Sequence, residues 1–415
     1  MRARPCSRRS TSRRRHRWPW APSAPPAALR SATITINGSG FDPDPFHMQV
    51  KFADNLAAEV VSSSATQVVV KVPAGAVTGP VTVTHILTGA SVSSGSAFTV
   101  TSSGGGGGGT TTWVARASPS SFLLNGLAYG AGRFVAVGFG KTIVTSVDGL
   151  SWTAATAPDN NYYEAKSVVW TGSQFVMVGD KNYGASAPPL IATSPDGLAW
   201  TRRSWTPAQD PDTLADVAAG GSRLTVVGLN GSLATSGDGG LTWVNETGGA
   251  GTSFSGVADS GSVRVAVGRD GSYAGRVLVN SGGGWQVVTA GLGNFYPARI
   301  TWNGARFVAV GAAGLGGQAV VVTSADGANW TRVEIPSSVV PANFKLAAVA
   351  QVGSVLYATG DNGSTQHLIV KSEDQGATWT QVHQATTAGN AMLAGIAASA
   401  DRVVTVGGVT SVTMP

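Results

Sequence analysis

Two markers recur seven times in the last three hundred or so residues, and that count constrains the fold more than any other feature. The first is an apolar run ending in glycine: RFVAVG at 133, QFVMVG at 174, RLTVVG at 223, VRVAVG at 263, RFVAVG at 306, VLYATG at 355 and RVVTVG at 402. The second is a tryptophan after a turn: Trp113, Trp152, Trp200, Trp243, Trp285, Trp330 and Trp379, spaced by 39, 48, 43, 42, 45 and 49 residues. A period of about 40–50 residues signals a repeat architecture before any residue is read for chemistry. Runs apolar on both faces suit strands covered on both sides, as the inner strands of propeller blades are. Trp113 precedes every run, and no tryptophan follows the last one. The strand at TTWVARA is therefore predicted to complete the sheet whose other strands end the chain, closing a seven-bladed ring and protecting its edges.

Between the markers, five stretches read SVDGLSW at 146, SPDGLAW at 194, SGDGGLTW at 236, SADGANW at 324 and SEDQGATW at 372. They resemble the Asp-box of BNR/sialidase-like repeats, S-x-D-x-G-x-x-W. The resemblance assigns structural roles to Ser146, Asp148, Trp152, Ser194, Asp196, Trp200, Ser236, Asp238, Trp243, Ser324, Asp326, Trp330, Ser372, Asp374 and Trp379. Chemically the parts make a turn: Asp and Ser bond to nearby backbone, glycine allows positive φ, and tryptophan packs. A catalytic role would need five equivalent acids, and one Asp with a Ser supplies too few oxygens for calcium. At 281 the motif is reduced to SGGGW, so packing outlasts the carboxylate there.

Upstream, SATITINGSGF, MQVKF, AAEVVSSSATQVVVKVPAG, GPVTVTHI and SAFTVT are strand-like runs bounded by Gly, Pro, Asn and Ser. Ile36, Gly38, Gly40, Phe41 and the VPAG…TGPVTVT segment at 72–84 resemble an IPT/TIG domain of the immunoglobulin-like class. The resemblance implies a β-sandwich spacer or interaction module. A family-type first strand is expected to be lost, because APPAALR stands in its place. The whole chain is thus expected to be all-β: a tail over 1–30, an IPT/TIG-like domain over 31–101, a glycine-rich flexible linker over 102–111 and a propeller over 112–415.

The net charge of +6 is misleading, since residues 1–30 hold nine of the 28 basic residues and leave 19 against 22 acidic ones. No nucleic-acid partner is expected of that acidic remainder. The tail lacks the apolar core of an export signal, so it reads either as a disordered arm or as a mis-assigned start. No apolar run reaches the roughly 18 residues of a membrane span. Cys6 is the only cysteine, which rules out an intramolecular disulfide. No metal or cofactor is expected, and the chain is read as a monomer, extracellular or at a cell surface.

Alternating strand direction puts the Asp-box turns on one face and the ligand loops of a propeller on the other. Those loops contribute Tyr162, Tyr163, Tyr183, Trp205, Asp210, Asp212, Tyr273, Phe295, Tyr296, Arg299 and His367 as a candidate face for a glycan or protein. A sialidase would need an arginine triad, one in an R-I-P motif, but that motif is absent and Arg202, Arg203, Arg269, Arg276 and Arg299 are the only arginines on these loops. The F-V-A-V-G…T-S-x-D-G-x-x-W-T rhythm is most similar to noncatalytic propellers such as the photosystem II stability and assembly factor. No catalytic residue is assigned, and a glycoside hydrolase is the alternative.

Overall fold

The computed structural model describes residues 28–29, 33–101 and 113–414, apart from 54–55, 74–78, 95–97, 99, 118–119, 181–187, 208–210, 212, 289–291, 315–316, 388–391, 400–401 and 409. The expected linker lies outside these, as does the expected tail except for Ala28–Leu29. The chain divides into two compact units, Met1–Gly105 and Gly106–Pro415. No helix among the described residues is long and apolar enough to cross a membrane.

In the first unit, six strands pair in the order Thr33–Asn37, Gln67–Lys71, Ala57–Ser63, Met48–Lys51, Thr82–His85, Ser91–Ser93. Alternation buries Ile34 and Ile36 on one strand and Val68 and Val70 on its neighbour, around Phe41, Phe52 and Phe98. The expected loss of the first strand is corrected: Ala28–Leu29 pairs in parallel with Val100–Thr101 at the other end of the domain. Backbone hydrogen bonding does not depend on the side chains that APPAALR lacks, so even Ala-Leu can serve there.

The second unit contains, among the described residues, seven four-stranded antiparallel sheets. Their first strands are Leu124–Gly130, Ala165–Trp170, Leu214–Gly220, Thr252–Asp259, Tyr296–Trp302, Lys345–Val352 and Leu393–Ala398. Each contacts the first strand of the next sheet, and the last returns to the first, which makes a closed ring. The glycine-ended apolar runs form the second strands, and residues such as Val135, Val176, Val226, Val308 and Ala358 are wholly buried between sheets. The seventh sheet takes three strands from the end of the chain and its fourth, Val114–Ala117, from the beginning of the unit. That strand pairs antiparallel with Thr410–Met414.

The five Ser-Asp stretches link third strands to fourth strands. In the first of them Ser146 Oγ donates to Asp148 Oδ1 (2.9 Å), while the Leu150 and Ser151 N–H groups donate to the same oxygen (2.8 Å each). Gly149 N–H donates to Ser146 Oγ (2.7 Å). Backbone donors, those of Ser151, Leu198 and Asn329 foremost, hold Asp148, Asp196 and Asp326 below the usual carboxylate range. At Asp238 the Thr242 hydroxyl is the chief cause. The indole N–H of Trp200, Trp243, Trp330 and Trp379 donates to the carbonyl of the turn glycine three residues before it. Gly197 shows why the turn is a fastening: its φ is +76°, and a Cβ there would lie 2.5 Å from Val135 of the preceding sheet.

The reduced stretch is repaired by other groups. Asn280 stands at the position of the turn serine, and its Oδ1 accepts from Gly282 N–H (2.8 Å) as Ser146 Oγ accepts from Asp148 N–H. Arg264 stands where the five sheets with a Ser-Asp turn carry Phe or Leu and lies 5.0 Å over the Trp285 ring. Glu246 accepts from both Arg264 and the Trp285 indole. A buried cation thus replaces an aromatic ring as the partner of the tryptophan.

Candidate functional site

Register decides which face is which. Gly138, the end of one second strand, pairs with Leu124, the start of its first strand, whereas Ser146 pairs with Phe134 at the opposite end. The Ser-Asp turns therefore lie at one end of the ring, and the loops between second and third strands at the other.

At that other end every first strand carries the same irregularity. The register skips one residue in each sheet: Asn125, Lys166, Ala215, Ser255, Ala298, Ala347 and Ala394. A bulge leaves its extra residue outside the ladder and re-aims its side chain. All seven line one axial cavity of about 460 Å³. The mouth of the ring is thus built from one bulge residue per sheet, small on most sides and polar where the first two sheets meet. There Lys166 Nζ lies 2.8 Å from Glu164 and 3.3 Å from Asp180, and Asn125 Nδ2 donates to Glu164 (2.9 Å). Across the ring Lys345 Nζ lies 3.8 Å from Asp361. No periodic hydrophobic pattern marks a bulge, so sequence reasoning missed these positions.

Arg299 forms the floor of the mouth and the roof of a second axial cavity of about 350 Å³. Its guanidinium donates to the carbonyls of Ala215 (3.3 Å), Ser255 (3.0 Å) and Lys166 (3.2 Å), and Nη1 lies 3.3 Å from Asp216 Oδ1. Its donors are directed at the backbone of three other sheets.

The remaining expected face residues scatter. Tyr183, Asp210 and Asp212 lie outside the described residues. Tyr162 and Tyr273 are exposed and Tyr296 is half-buried at the start of its strand. The Arg269 guanidinium sits 5.2 Å from the Tyr273 ring. Tyr163, Phe295 and His367 are corrected as ligand residues, because all three are fully buried in packing between sheets. Burial pushes the Tyr163 hydroxyl up. Trp205 stacks on Trp243 at 6.2 Å and belongs to the packing of the second and third sheets. Arg202 is engaged by Asp159 and by the Pro188 carbonyl, and Arg276 by Asp270. Among the described residues no group of three or more His, Cys, Asp or Glu is placed to hold a metal.

His367 instead belongs to the closure of the ring. Its Nε2 is 3.3 Å from His383 Nε2, and Trp113 packs on His383 at 6.4 Å. Burial, with the His383 charge added, lowers His367 to about 4, while an unburied imidazole titrates near 6.5. The unfolded chain therefore takes up a proton that the folded chain refuses, and stability present above 6.5 is lost as pH falls toward 4. Protection factors for hydrogen exchange at Leu368–Val370 are expected to fall between pH 6.5 and 5, and a His367→Leu variant to lose the larger part of this dependence. An unchanged pH profile in that variant would refute the assignment.

The IPT/TIG domain family matches residues 22–100, nine residues earlier than the boundary expected from the strands. No curated protein matches the chain. Among solved structures, "YCF48 bound to D1 peptide" aligns at a TM-score of 0.55 and 17% identity, over 73% of this chain and 94% of that one. YCF48 from Cyanidioschyzon merolae aligns at 0.54 and 17%, over 73% and 98%. The WD40 β-propeller domain of Doa1 aligns at 0.53 and 8%, over 72% and 95%. At such identities the likeness is one of fold alone. The chain carries an IPT/TIG domain followed by an all-β, β-propeller-like ring of sheets.

Proposed function

We propose that this chain is a noncatalytic binding protein, extracellular or at a cell surface, whose seven-bladed propeller with Asp-box turns binds a protein or glycan at the face opposite those turns. The carrying observation is the bulge-lined mouth of about 460 Å³, at which, among the described residues, Glu164 and Asp180 pair with Lys166 and Asp361 with Lys345. A glycosidase needs two carboxyl groups free to act as acid and as base or nucleophile. Glu164 and Asp180 instead share Lys166, and Arg299 is directed at main-chain carbonyls. The similar fold of a propeller solved with a bound peptide favours a peptide over a sugar as the first ligand to try. The IPT/TIG domain suits a spacer that holds the ring away from its point of attachment.

A glycan array, a peptide library and a panel of fluorogenic glycosides applied to the full chain test this reading. Binding without turnover is expected. Ala347→Trp, which fills the mouth from a half-buried position, is expected to weaken a mouth ligand about tenfold or more. Turnover of any glycoside by the purified chain would establish the hydrolase instead.

A further inference from the structure

The first sheet carries an aromatic corner at the same face, away from the axis. Second strand Arg133–Gly138 turns into third strand Ile143–Ser146 through Gly140 and Lys141, at φ +66° and +56°. Thr142 N–H closes the turn on the Phe139 carbonyl (3.3 Å). Two positive φ values in a two-residue connection make a type I′ hairpin turn, in which a lysine in the second position is held at a cost. Two further bonds lock it in place: Phe139 N–H donates to Leu123 (2.9 Å), and Lys141 N–H to Tyr163 (3.0 Å).

This locking gathers three rings from three segments. Phe122 lies 6.0 Å from Phe139 at 46°, and Phe139 lies 5.6 Å from Tyr162 at 85°. The Phe122 ring lies over Gly140, where an added Cβ would be 3.4 Å from it. Phe122 and Tyr162 remain 45% and 42% exposed, which is unusual for rings held this closely. Beside them Lys141 is exposed and makes no ion pair among the described residues. The nearby carboxylates are engaged elsewhere, Asp159 by Arg202 and Glu164 by Lys166. Among the described residues the corner thus presents an exposed lysine that no carboxylate pairs.

The geometry points to a docking site for a peptide segment that presents an apolar side chain next to a carboxylate. Rings at 46° and 85° form the walls of a corner the size of a side chain, whereas a sugar would stack on the open face of a single ring. A Leu, Ile or Phe side chain fills such a corner, and a neighbouring Asp, Glu or chain-terminal carboxylate meets Lys141. Apolar burial supplies affinity, and the charge sets orientation and on-rate. This site rests on the reading of this face as the ligand face and names the ligand class.

The test is selection of a phage-displayed random heptapeptide library on the full chain, followed by anisotropy with the fluorescein-labelled consensus peptide. Selected peptides are expected to place an acid within about two positions of a bulky apolar residue. Phe122→Ser and Lys141→Glu are each expected to weaken the consensus peptide about tenfold. Lys141→Gly removes the charge while relieving the left-handed backbone, so it is expected to lose affinity with no loss of stability. Lys141→Glu is further expected to redirect selection toward basic peptides. Peptides without the acid, or indifferent to both Phe122→Ser and Lys141→Glu, would overturn the corner; if Ala347→Trp abolishes their binding, the binding-face reading stands without it. Glycan binding lost in Phe122→Ser would overturn the peptide as occupant. A chain that selects neither peptide nor glycan would overturn both readings.

Discussion

Trp113→Ala is expected to lower the stability of the second unit by about 3–5 kcal/mol, the range for emptying a buried tryptophan site. Trp113 is buried against Tyr357, edge-on at 5.8 Å, and against His383, in one cluster with Leu393, Ile396 and Met414. It also immediately precedes Val114–Ala117, the strand that closes the ring. The cavity would open at the one sheet whose strands come from both ends of the unit, so packing loss and lost closure coincide. Trp152, only half-buried, is the control, and Trp152→Ala is expected to cost clearly less. Trp113→Phe should recover much of the loss, because the buried indole Nε1 has no hydrogen-bond partner among the described residues. Urea unfolding followed by circular dichroism measures all three. A Trp113→Ala cost no greater than that of Trp152→Ala would mean that closure is not where the ring is weakest.

The same tryptophan shows how far the sequence could be read. Its position ahead of every apolar run placed its strand beside the last strands of the chain, because order along the chain is visible without side-chain geometry. The apolar runs were legible for a similar reason: a strand covered on both faces has no polar phase, and RFVAVG states that directly. Loop residues were harder. Tyr163 and Phe295 occur in polar loop text as Tyr162 and Tyr296 do, yet the first two are buried and the last two are not. One residue of register separates them, and a loop has no period from which to take that register. Bulges were invisible too. Asn125, Lys166 and Ser255 differ from ladder residues only in the hydrogen bonds they skip. Phe139 and Phe122 are not among the expected ligand residues: the first directly follows an apolar run and the second begins one, so no polar loop text marks them. Their exposure depends on a turn through Gly140 and Lys141, whose left-handed second residue is not one that the sequence advertises.

Arg299→Ala is expected to destabilise the ring by about 3–5 kcal/mol, the range for leaving one member of a buried charge pair without its partner. Asp216 is 7% exposed and would keep, among the described residues, only the Ser167 hydroxyl (2.6 Å) and the Val257 N–H (3.0 Å). The carbonyls of Lys166, Ala215 and Ser255 would lose a shared donor at the same time. Arg299→Lys keeps the charge but replaces a planar fork by one ammonium, which cannot reach three carbonyls from one position. Its cost is expected to lie between the wild type and Arg299→Ala. An additional Asp216→Asn change should remove part of the penalty of Arg299→Ala, because no unpaired carboxylate then remains in the channel. This series separates a structural arginine from a substrate clamp more cleanly than an activity assay does. A clamp contributes little to the folded state without ligand, so its removal would leave the urea midpoint unchanged and weaken ligand alone. A residue whose printed contacts from Nη1 and Nη2 go to main chain and Asp216 must do the reverse first, shifting the midpoint in the absence of any ligand. If Arg299→Ala unfolds at the wild-type midpoint, the guanidinium is free to turn toward a ligand, and the arginine returns to the binding face.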